Sequence, residues 1–304
     1  MFTPTRRTFC ASLAAAPLAG CVTTDAQQAP VGRFVDVNGR KLHYVLDGDG
    51  PPVILIHGAS GNLLDWTHSV FAQLSERYRV LAIDRPGLGY SDPAPIPYDL
   101  TSQADMIHAG AAALGLPKAT IVGHSYGGSV SLAYALAHPD AVDALVLLAA
   151  PSHVWPGGID TLYRISNTPV VGSLFSNMVP LLATDNRIKS AIAGIFEPQP
   201  VPDGYIAHVR PDLALRPAVY RRNAAQIGAL KQALWRMEPR YASLTMPIEL
   251  IHGVDDTTVG ISIHSEPFAE KYENATLTRL DGIGHMPHHV RPDALLDSLQ
   301  RVTA

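Results

Sequence analysis

The pentapeptide GHSYG at residues 123–127 constrains this chain more than any other stretch, because it fits the pattern G-x-S-x-G. A short β-branched run precedes it, and the small and apolar residues 128–137 that follow predict a helix. A serine at such a strand-to-helix turn takes a strained backbone conformation, which the flanking glycines permit because a Cβ at either position would clash. We expect the turn to lift the Ser125 hydroxyl clear of a sheet and to aim the first helix amides at the group it attacks.

Continuous apolar runs alternate with helical patterns along most of the chain. After a hairpin whose turn is Asn38-Gly39, strands are predicted near 53–57, 79–84, 119–124, 144–150, 247–252 and 275–281. Runs that are apolar on both faces indicate a parallel sheet covered by helices on both sides. The alternation fails between residues 151 and 240, where many prolines separate short helical patches.

Four further motifs follow predicted strands in a fixed order. They are HG at 57–58, DRPGLGYS at 84–91, HGVDD at 252–256 and GIGH at 282–285, with the pentapeptide between the second and the third. In this order they resemble the motifs of the α/β-hydrolase fold family from about Phe34 to the C-terminus, apart from the stretch in the middle. The resemblance implies a mostly parallel, doubly wound sheet of about eight strands with a helical lid inserted after strand six. The core would then comprise residues 33–151 and 241–304, and the lid residues 152–240.

The first twenty residues are predicted to be an export signal rather than part of the fold. Residues 5–9, TRRTF, resemble a twin-arginine signal, and the apolar stretch that follows is too short to span a bilayer. It ends in LAGC at 18–21, which resembles a bacterial lipobox with Cys21 as the lipidated first residue, so that residues 21–32 would form a tether. We expect a bacterial periplasmic or cell-envelope protein that is anchored to the membrane through Cys21. The alternative is an ordinary secretory signal with an incidental cysteine.

Several classes of partner are not expected. The net charge is −4 and there is no basic stripe, which argues against nucleic-acid binding. The glycine-rich segments lack the lysine and the spacing of a phosphate loop, and nothing else in the sequence indicates a cofactor. His288 and His289 lack a carboxylate at ligand spacing and an i,i+4 pair on a helix, so no metal site is expected. The sequence makes no prediction of oligomeric state.

Ser125 needs a base, because a free hydroxyl is a poor nucleophile at neutral pH. In this family the chain order is serine, acid, histidine. His285 fits the base, since it lies on a glycine-flanked turn beyond the last predicted strand. Other histidines have weaker claims, because they resemble structural residues beside the loops or fall outside the motif: His57, His124, His288 and His289.

The acid is one of two adjacent residues, Asp255 and Asp256. The family pattern measured from Gly253 and Val259 selects Asp256, which leaves Asp255 as a neighbour or a surface charge. Asp256 would accept the Nδ1 proton of His285 and stabilise the imidazolium that forms. The resemblance also implies an oxyanion hole made by two backbone amides, those of Ala59 and Tyr126.

A serine at this turn predicts acyl transfer rather than the chemistry of haloalkane dehalogenases and epoxide hydrolases, which carry aspartate there. A carboxylic ester hydrolase acting on a small-molecule ester is the first hypothesis. Carbon–carbon bond hydrolases and cofactor-free perhydrolases share the same triad, and lactonase and amidase activities stay open. Met286 follows His285, whereas carbon–carbon hydrolases often carry tryptophan there. A non-catalytic binding lipoprotein is the hypothesis from another class, although such proteins usually lose part of the triad.

Substrate selectivity is expected to reside in the lid and the pocket beneath it. Six aromatic residues are candidates for the pocket wall, although aromatics in helical stretches more often belong to a core: Trp155, Tyr163, Phe175, Phe196, Tyr205 and Trp235.

Overall fold

An eight-stranded sheet organises the computed structural model, which describes residues 29–158, 168, 177–179 and 182–303. The strand order is β1-β2-β4-β3-β5-β6-β7-β8. β1 and β2 pair in antiparallel fashion, as do β2 and β4, and all other pairs are parallel. The predicted architecture is therefore confirmed. The strands are β1 (Arg33–Val37), β2 (Arg40–Asp47), β3 (Pro52–Ile56), β4 (Arg79–Ile83), β5 (Ala119–His124), β6 (Val142–Leu148), β7 (Ile248–Gly253) and β8 (Ala275–Leu280).

Helices connect the parallel strands and cover both faces of the sheet. None of those in the described part of the chain has the length and apolar character needed to cross a bilayer. Over the residues described, the α-helices are α1 (Leu64–His68), α2 (Phe71–Ser75), α3 (Leu100–Ala113), α4 (Tyr126–Ala137), α5 (Asp185–Phe196), α6 (Tyr205–Val209), α7 (Asp212–Leu215), α8 (Pro217–Met237), α9 (Ser265–Lys271), α10 (Pro287–Val290) and α11 (Pro292–Thr303).

Short-range chemistry accounts for several element boundaries. Asn38 and Gly39 have φ values of 53° and 78°, so both central residues of the β1–β2 turn are left-handed, as a two-residue hairpin requires. Asp99 caps α3, because its Oδ1 accepts a hydrogen bond of 2.7 Å from the backbone N–H of Ser102. The sequence pattern predicts one helix over about residues 62–77, but Ser69 leaves helical geometry with φ −119° and ψ −80°, so α1 and α2 are separate helices.

The core has two layers because successive side chains of a strand point to opposite faces. In β3, Ile54 and Ile56 pack with residues of α3, α4 and α8 on one face. Val53 and Leu55 pack with residues of α1, α2 and α11 on the other. All four side chains are buried, and burial of each contributes about 1.5–3 kcal/mol relative to exposure. This double covering fixes the register of the central strands.

The parallel strands direct their carboxyl ends to the same edge of the sheet. β3, β5, β7 and β8 end at residues 56, 124, 253 and 280, each shortly before a predicted site residue. Between β6 and β7 the chain forms what we call the insert, residues 149–247, which contains α5, α6, α7 and α8. The insert includes the stretch predicted to be a lid, and that role stays a prediction. The predicted export signal and Cys21 lie outside the described residues, as do Tyr163 and Phe175.

Candidate active site

Ser125 occupies the sharp turn between β5 and α4. Its φ of 51° and ψ of −126° are unfavourable for a residue with a side chain, so the turn stores strain. The neighbouring glycines make the turn sterically feasible. A Cβ on Gly127 would lie 2.1 Å from the Ile56 carbonyl oxygen, and one on Gly123 would lie 2.3 Å from Ser131 Oγ. The expected turn geometry at Ser125 therefore follows from close packing around the two glycines.

The structure brings together the three side chains that were predicted to form a triad. His285 Nε2 lies 3.0 Å from Ser125 Oγ, and His285 Nδ1 lies 2.7 Å from Asp256 Oδ2. An ionised carboxylate only accepts hydrogen bonds, so the Nδ1 proton of His285 is donated to Asp256. Nε2 is then free to accept the proton of the serine hydroxyl. The three side chains are buried, which limits competition from water.

Asp256 is held in place by more than His285. Its Oδ1 accepts hydrogen bonds of 2.8 Å from the backbone N–H groups of Thr258 and Val259. Burial opposes ionisation of this carboxyl, but hydrogen bonds from His252 and His285 outweigh burial and hold its pKa below the usual range. Asp255 is exposed and directs no bond at His285. The geometry thus selects the carboxylate that the family pattern indicated.

His252 is a site residue that the sequence reasoning missed. It is fully buried on β7, and its Nε2 lies 2.7 Å from the Val259 carbonyl oxygen and 3.2 Å from Asp256 Oδ2. Its Nδ1 lies 2.7 Å from Ser265 Oγ. Since a carbonyl only accepts, Nε2 carries the proton and Nδ1 accepts from the serine. The one available signal was that this histidine directly precedes the glycine that ends β7.

The two residues predicted to supply oxyanion amides, Ala59 and Tyr126, lie close to Ser125. Tyr126 is the first residue of α4, so its backbone N–H has no acceptor within the helix. Ala59 follows Gly58, whose backbone approaches Ser125 so closely that a Cβ there would lie 3.2 Å from Ser125 Cβ. Both residues line the same cavity as the serine.

His57 joins the loop after β3 to the loop after β4. Its Nδ1 donates to the Gly58 carbonyl at 2.8 Å, and its Nε2 accepts from the backbone N–H of Arg85 at 2.9 Å. Burial, together with the Arg85 charge, lowers the pKa of His57 to about 4. The imidazole is therefore neutral near pH 7 and has one tautomer. This is the structural position that the sequence analysis expected for His57.

A cluster of three side chains beside the cavity was not foreseen. His288 Nε2 lies 3.0 Å from Asp65 Oδ2, and His289 Nε2 lies 2.8 Å from Asp65 Oδ1, to which Tyr205 donates at 2.8 Å. The sequence showed no carboxylate near these histidines because Asp65 lies 223 residues before His288. The contacts join α10, α1 and α6.

The hydrogen-bond pattern of this cluster does not suit a metal ion, although its ligand atoms lie within 4.8 Å of one another. A metal on both Nε2 atoms would place the imidazole protons on Nδ1. Neither Nδ1 atom has a hydrogen-bond partner among the described residues, whereas metal-bound histidines normally donate their other N–H. When both Nε2 protons are donated to Asp65, neither histidine has an unpaired donor. The cluster is accordingly a structural anchor.

A cavity of about 800 Å³ opens onto Ser125. Among the described residues that line it there is no lysine, arginine or glutamate, and its carboxylate, Asp65, is already bonded as above. Of the aromatic candidates, Trp155 and Tyr205 line the cavity, Phe196 packs against Tyr205, and Trp235 is exposed. The apolar wall comes mainly from the insert and the loop after β7: Trp155, Ile188, Ile192, Ile195, Ile227, Leu230, Val259 and Ile263.

Comparison with known proteins places this site in context. A model of the family described as the alpha/beta hydrolase fold matches residues 51–292. An uncharacterised protein of Mycobacterium tuberculosis is 26% identical over 287 residues, which cover 90% of this chain and 81% of the relative. A 2-hydroxymuconate semialdehyde hydrolase from a Pseudomonas species is 28% identical over 243 residues, or 77% and 80% of the two chains. The crystal structure of an esterase from Rhodococcus sp. ECU1013 is similar with a TM-score of 0.68 and 26% identity, covering 88% of this chain and 96% of the esterase.

Proposed function

The chain is a hydrolase that belongs to the α/β-hydrolase fold family, and on that premise we propose that it cleaves neutral carboxylic esters through an acyl-enzyme on Ser125. The observation that carries the proposal is the unbroken hydrogen-bonded line from Ser125 through His285 to Asp256, at 3.0 Å and 2.7 Å. A serine, a base and an orienting carboxylate in this order are what acyl transfer requires.

In the acylation step, Ser125 Oγ attacks the ester carbonyl carbon while its proton passes to His285 Nε2. The negative charge that develops on the carbonyl oxygen is stabilised by the backbone N–H groups of Ala59 and Tyr126, each contributing about 3 kcal/mol. Asp256 stabilises the imidazolium ion without taking its proton. When the intermediate collapses, the bond to the alcohol oxygen breaks and that oxygen receives the proton from His285.

Deacylation repeats the same transfers with water as the nucleophile. Water attacks the acyl carbon, its proton passes to His285 Nε2, and a second tetrahedral intermediate forms at the same two amides. The bond between the acyl carbon and Ser125 Oγ then breaks, and Oγ regains a proton from His285. The carboxylic acid leaves, and the enzyme returns to its starting state without a cofactor.

The walls of the cavity support a neutral and largely apolar substrate. A carboxylate moved from water into such a cavity without a cationic partner loses solvation that nothing replaces. The described walls offer no lysine or arginine to compensate such a charge. This favours esters whose acyl chain carries no charge, such as fatty acyl esters, over substrates that carry a carboxylate, such as that of 2-hydroxymuconate semialdehyde hydrolase.

Carbon–carbon bond hydrolysis is the second candidate, because a similar relative is named as a 2-hydroxymuconate semialdehyde hydrolase. Lactones, amides and perhydrolysis would use the same three side chains and stay open. A non-catalytic binding role is less favoured, since a binding module has no need of the strained Ser125 backbone or of the buried carboxylate of Asp256.

Two esters matched in length test the proposal. The p-nitrophenyl esters of octanoic acid and of octanedioic acid differ only in the terminal carboxylate, and we expect kcat/KM to be at least about 100-fold higher for the neutral ester. Ile227→Arg, which places a cation in the wall, should narrow that ratio. A higher kcat/KM for the charged octanedioate ester would overturn the proposal that the substrate is neutral. Cleavage of a vinylogous diketone with no ester hydrolysis would favour the second candidate.

We also propose that the protein is exported and held at the cell envelope through a lipidated Cys21. The support is the LAGC sequence at 18–21 after a short apolar stretch and a twin-arginine pattern. A single acyl chain binds membranes weakly, whereas several chains on one cysteine would give stable attachment. An enzyme at this location would meet esters that reach the envelope.

A further inference from the structure

We propose that Asn223 and Gln226, on α8 of the insert, are positioning residues for the backbone amides that receive the oxyanion. The proposal rests on the proposed function and concerns the oxyanion loop, defined here as residues 58–61. It makes one helix of the insert responsible for catalytic geometry as well as for the cavity wall. Asn223 and Gln226 lie three positions apart on a helix, so they share one face.

Asn223 holds the strained residue of the oxyanion loop. Ser60 has a φ of 56°, a left-handed conformation that is uncommon for a residue with a side chain. Its backbone N–H donates to Asn223 Oδ1 at 2.9 Å, and its Oγ accepts from Asn223 Nδ2 at 2.8 Å. Asn223 is only 2% exposed, so water competes little for these bonds. The surroundings therefore impose the conformation of Ser60, which is how such strain persists at functional sites.

Gln226 reaches the other end of the same loop through Arg85. The Arg85 Nη1 group donates to Gln226 Oε1 at 3.0 Å, and its Nη2 group donates to the Gly58 carbonyl at 3.3 Å. Gln226 is fully buried, and its Nε2 donates to the carbonyls of Pro86 and Pro97 at 3.1 Å and 3.0 Å. Ala59 lies between the two anchored residues of the loop. Its N–H direction thus depends on both amide side chains of α8.

Arg85 is a buried cation that has no carboxylate partner in the part of the chain that the structure describes, and its presence beside the oxyanion loop calls for an explanation. Its guanidinium is buried, donates to neutral acceptors including Gln103 Oε1 at 2.9 Å, and has no carboxylate within ion-pair distance among the described residues. Burial lowers the pKa of Arg85 to about 10, so the group remains cationic near pH 7. A buried cation without a counter-ion is costly for folding.

The position of that charge suits the reaction. The guanidinium carbon lies 4.3 Å from the centre of the Tyr126 ring, and Nη2 donates to the Gly58 carbonyl, so the cation contacts both of the segments proposed to supply oxyanion amides. A fixed positive charge in a low-dielectric site favours negative charge that develops in the transition state. Gln226 keeps the guanidinium in this position, which adds an electrostatic part to its positioning role.

Steady-state kinetics of Asn223→Ala and Gln226→Ala in the full chain test the proposal. A misplaced oxyanion donor costs roughly 30- to 100-fold in kcat, while KM should change by less than about threefold. Affinity for a trifluoromethyl ketone, which forms a tetrahedral adduct with serine, should fall by the same factor as kcat. Gln232→Ala is the matched control, because it removes a side-chain amide from an exposed position of the same helix. The kcat, KM and inhibitor affinity of this control variant should equal those of the wild type.

The double variant Ser60→Gly/Asn223→Ala separates action through the loop from a general effect on folding. If Asn223 acts through Ser60, the two substitutions are strongly non-additive in kcat. If Asn223→Ala does not fold, Asn223→Ser, which retains a short polar side chain, takes its place. A kcat within twofold of wild type, or a lower kcat with unchanged inhibitor affinity, would overturn the positioning role. Absence of ester hydrolysis by the wild type would instead overturn the proposed function.

Discussion

His252 Nε2 lies 3.2 Å from Asp256 Oδ2, the same oxygen that accepts the hydrogen bond from His285. The carboxylate is therefore bounded by two imidazoles on one oxygen and by two backbone amides on the other. Such a full set of donors fixes both the ionisation and the orientation of Asp256. His285 is in turn aligned with Ser125 by a group that has little freedom to move.

The two adjacent aspartates provide the sharpest test of the assigned acid. Asp256→Asn should lower kcat by roughly 10³- to 10⁴-fold, because an amide at this position no longer enforces the tautomer of His285. Asp255→Asn changes an exposed carboxylate and should leave kcat within about twofold. Steady-state hydrolysis of one ester by both variants makes the comparison. A larger loss of kcat in Asp255→Asn than in Asp256→Asn would show that Asp255 is the acid.

Stability should fall as the pH drops below neutrality. Burial lowers the pKa of His57, His264 and His288 from 6.5 to about 4. Between these pH values the unfolded chain binds more protons than the folded chain, so the free energy of unfolding decreases with decreasing pH. Each histidine contributes about 1.4 kcal/mol per pH unit at most. We expect a lower urea midpoint at about pH 5 than at about pH 7; a constant or rising midpoint would mean that these histidines are protonated in the folded protein.

The glycine after the nucleophile should be intolerant of a side chain. Gly127→Ala places a Cβ 2.1 Å from the Ile56 carbonyl oxygen, which requires backbone movement and should lower the free energy of unfolding by about 3 kcal/mol. The same substitution at Gly194, in helix α5, meets nothing within 4 Å and should stabilise by about 0.5–1 kcal/mol. Thermal denaturation measures both. Equal melting temperatures for the two variants would be inconsistent with the packing at the nucleophile turn.

The proposed anchor can be tested in cells. Cys21→Ser removes the only acceptor for a lipid in the LAGC sequence while keeping the preceding signal intact. We expect the wild type in the membrane fraction and the variant in the soluble periplasmic fraction. Cys10→Ser is the control, since this cysteine lies within the predicted signal and its loss should leave the distribution unchanged. An unchanged distribution of Cys21→Ser would contradict lipidation.

The meeting of Ser125, His285 and Asp256 was predictable because each residue belongs to a short motif at or just after the end of a strand. Ser125 and His285 lie on glycine-containing turns whose backbone requirements are visible in the sequence. Parallel strands carry such turns to one edge of the sheet, so separation in the chain does not prevent them from meeting. The choice between Asp255 and Asp256 depended on the family pattern, and the hydrogen bonds at Asp256 provide its physical reason.

Contacts between distant segments were not predictable. Asn223 meets Ser60 across 163 residues, and His288 meets Asp65 across 223 residues, with no motif at either partner that points to the other. These pairs arise from how the insert and α10 pack, and one sequence does not encode that packing as a local pattern. The break between α1 and α2 was missed for a related reason, since no proline or glycine marks Ser69.

Peptide mapping after reaction with a fluorophosphonate tests the central claim most directly. The account predicts one phosphonyl group per chain on Ser125, no labelling of Ser125→Ala, and much slower labelling of His285→Ala, since the hydroxyl then has no base. Circular dichroism would verify that both variants are folded. A label on another residue, or no label on a wild-type enzyme that hydrolyses esters, would contradict the assignment of Ser125 as the nucleophile.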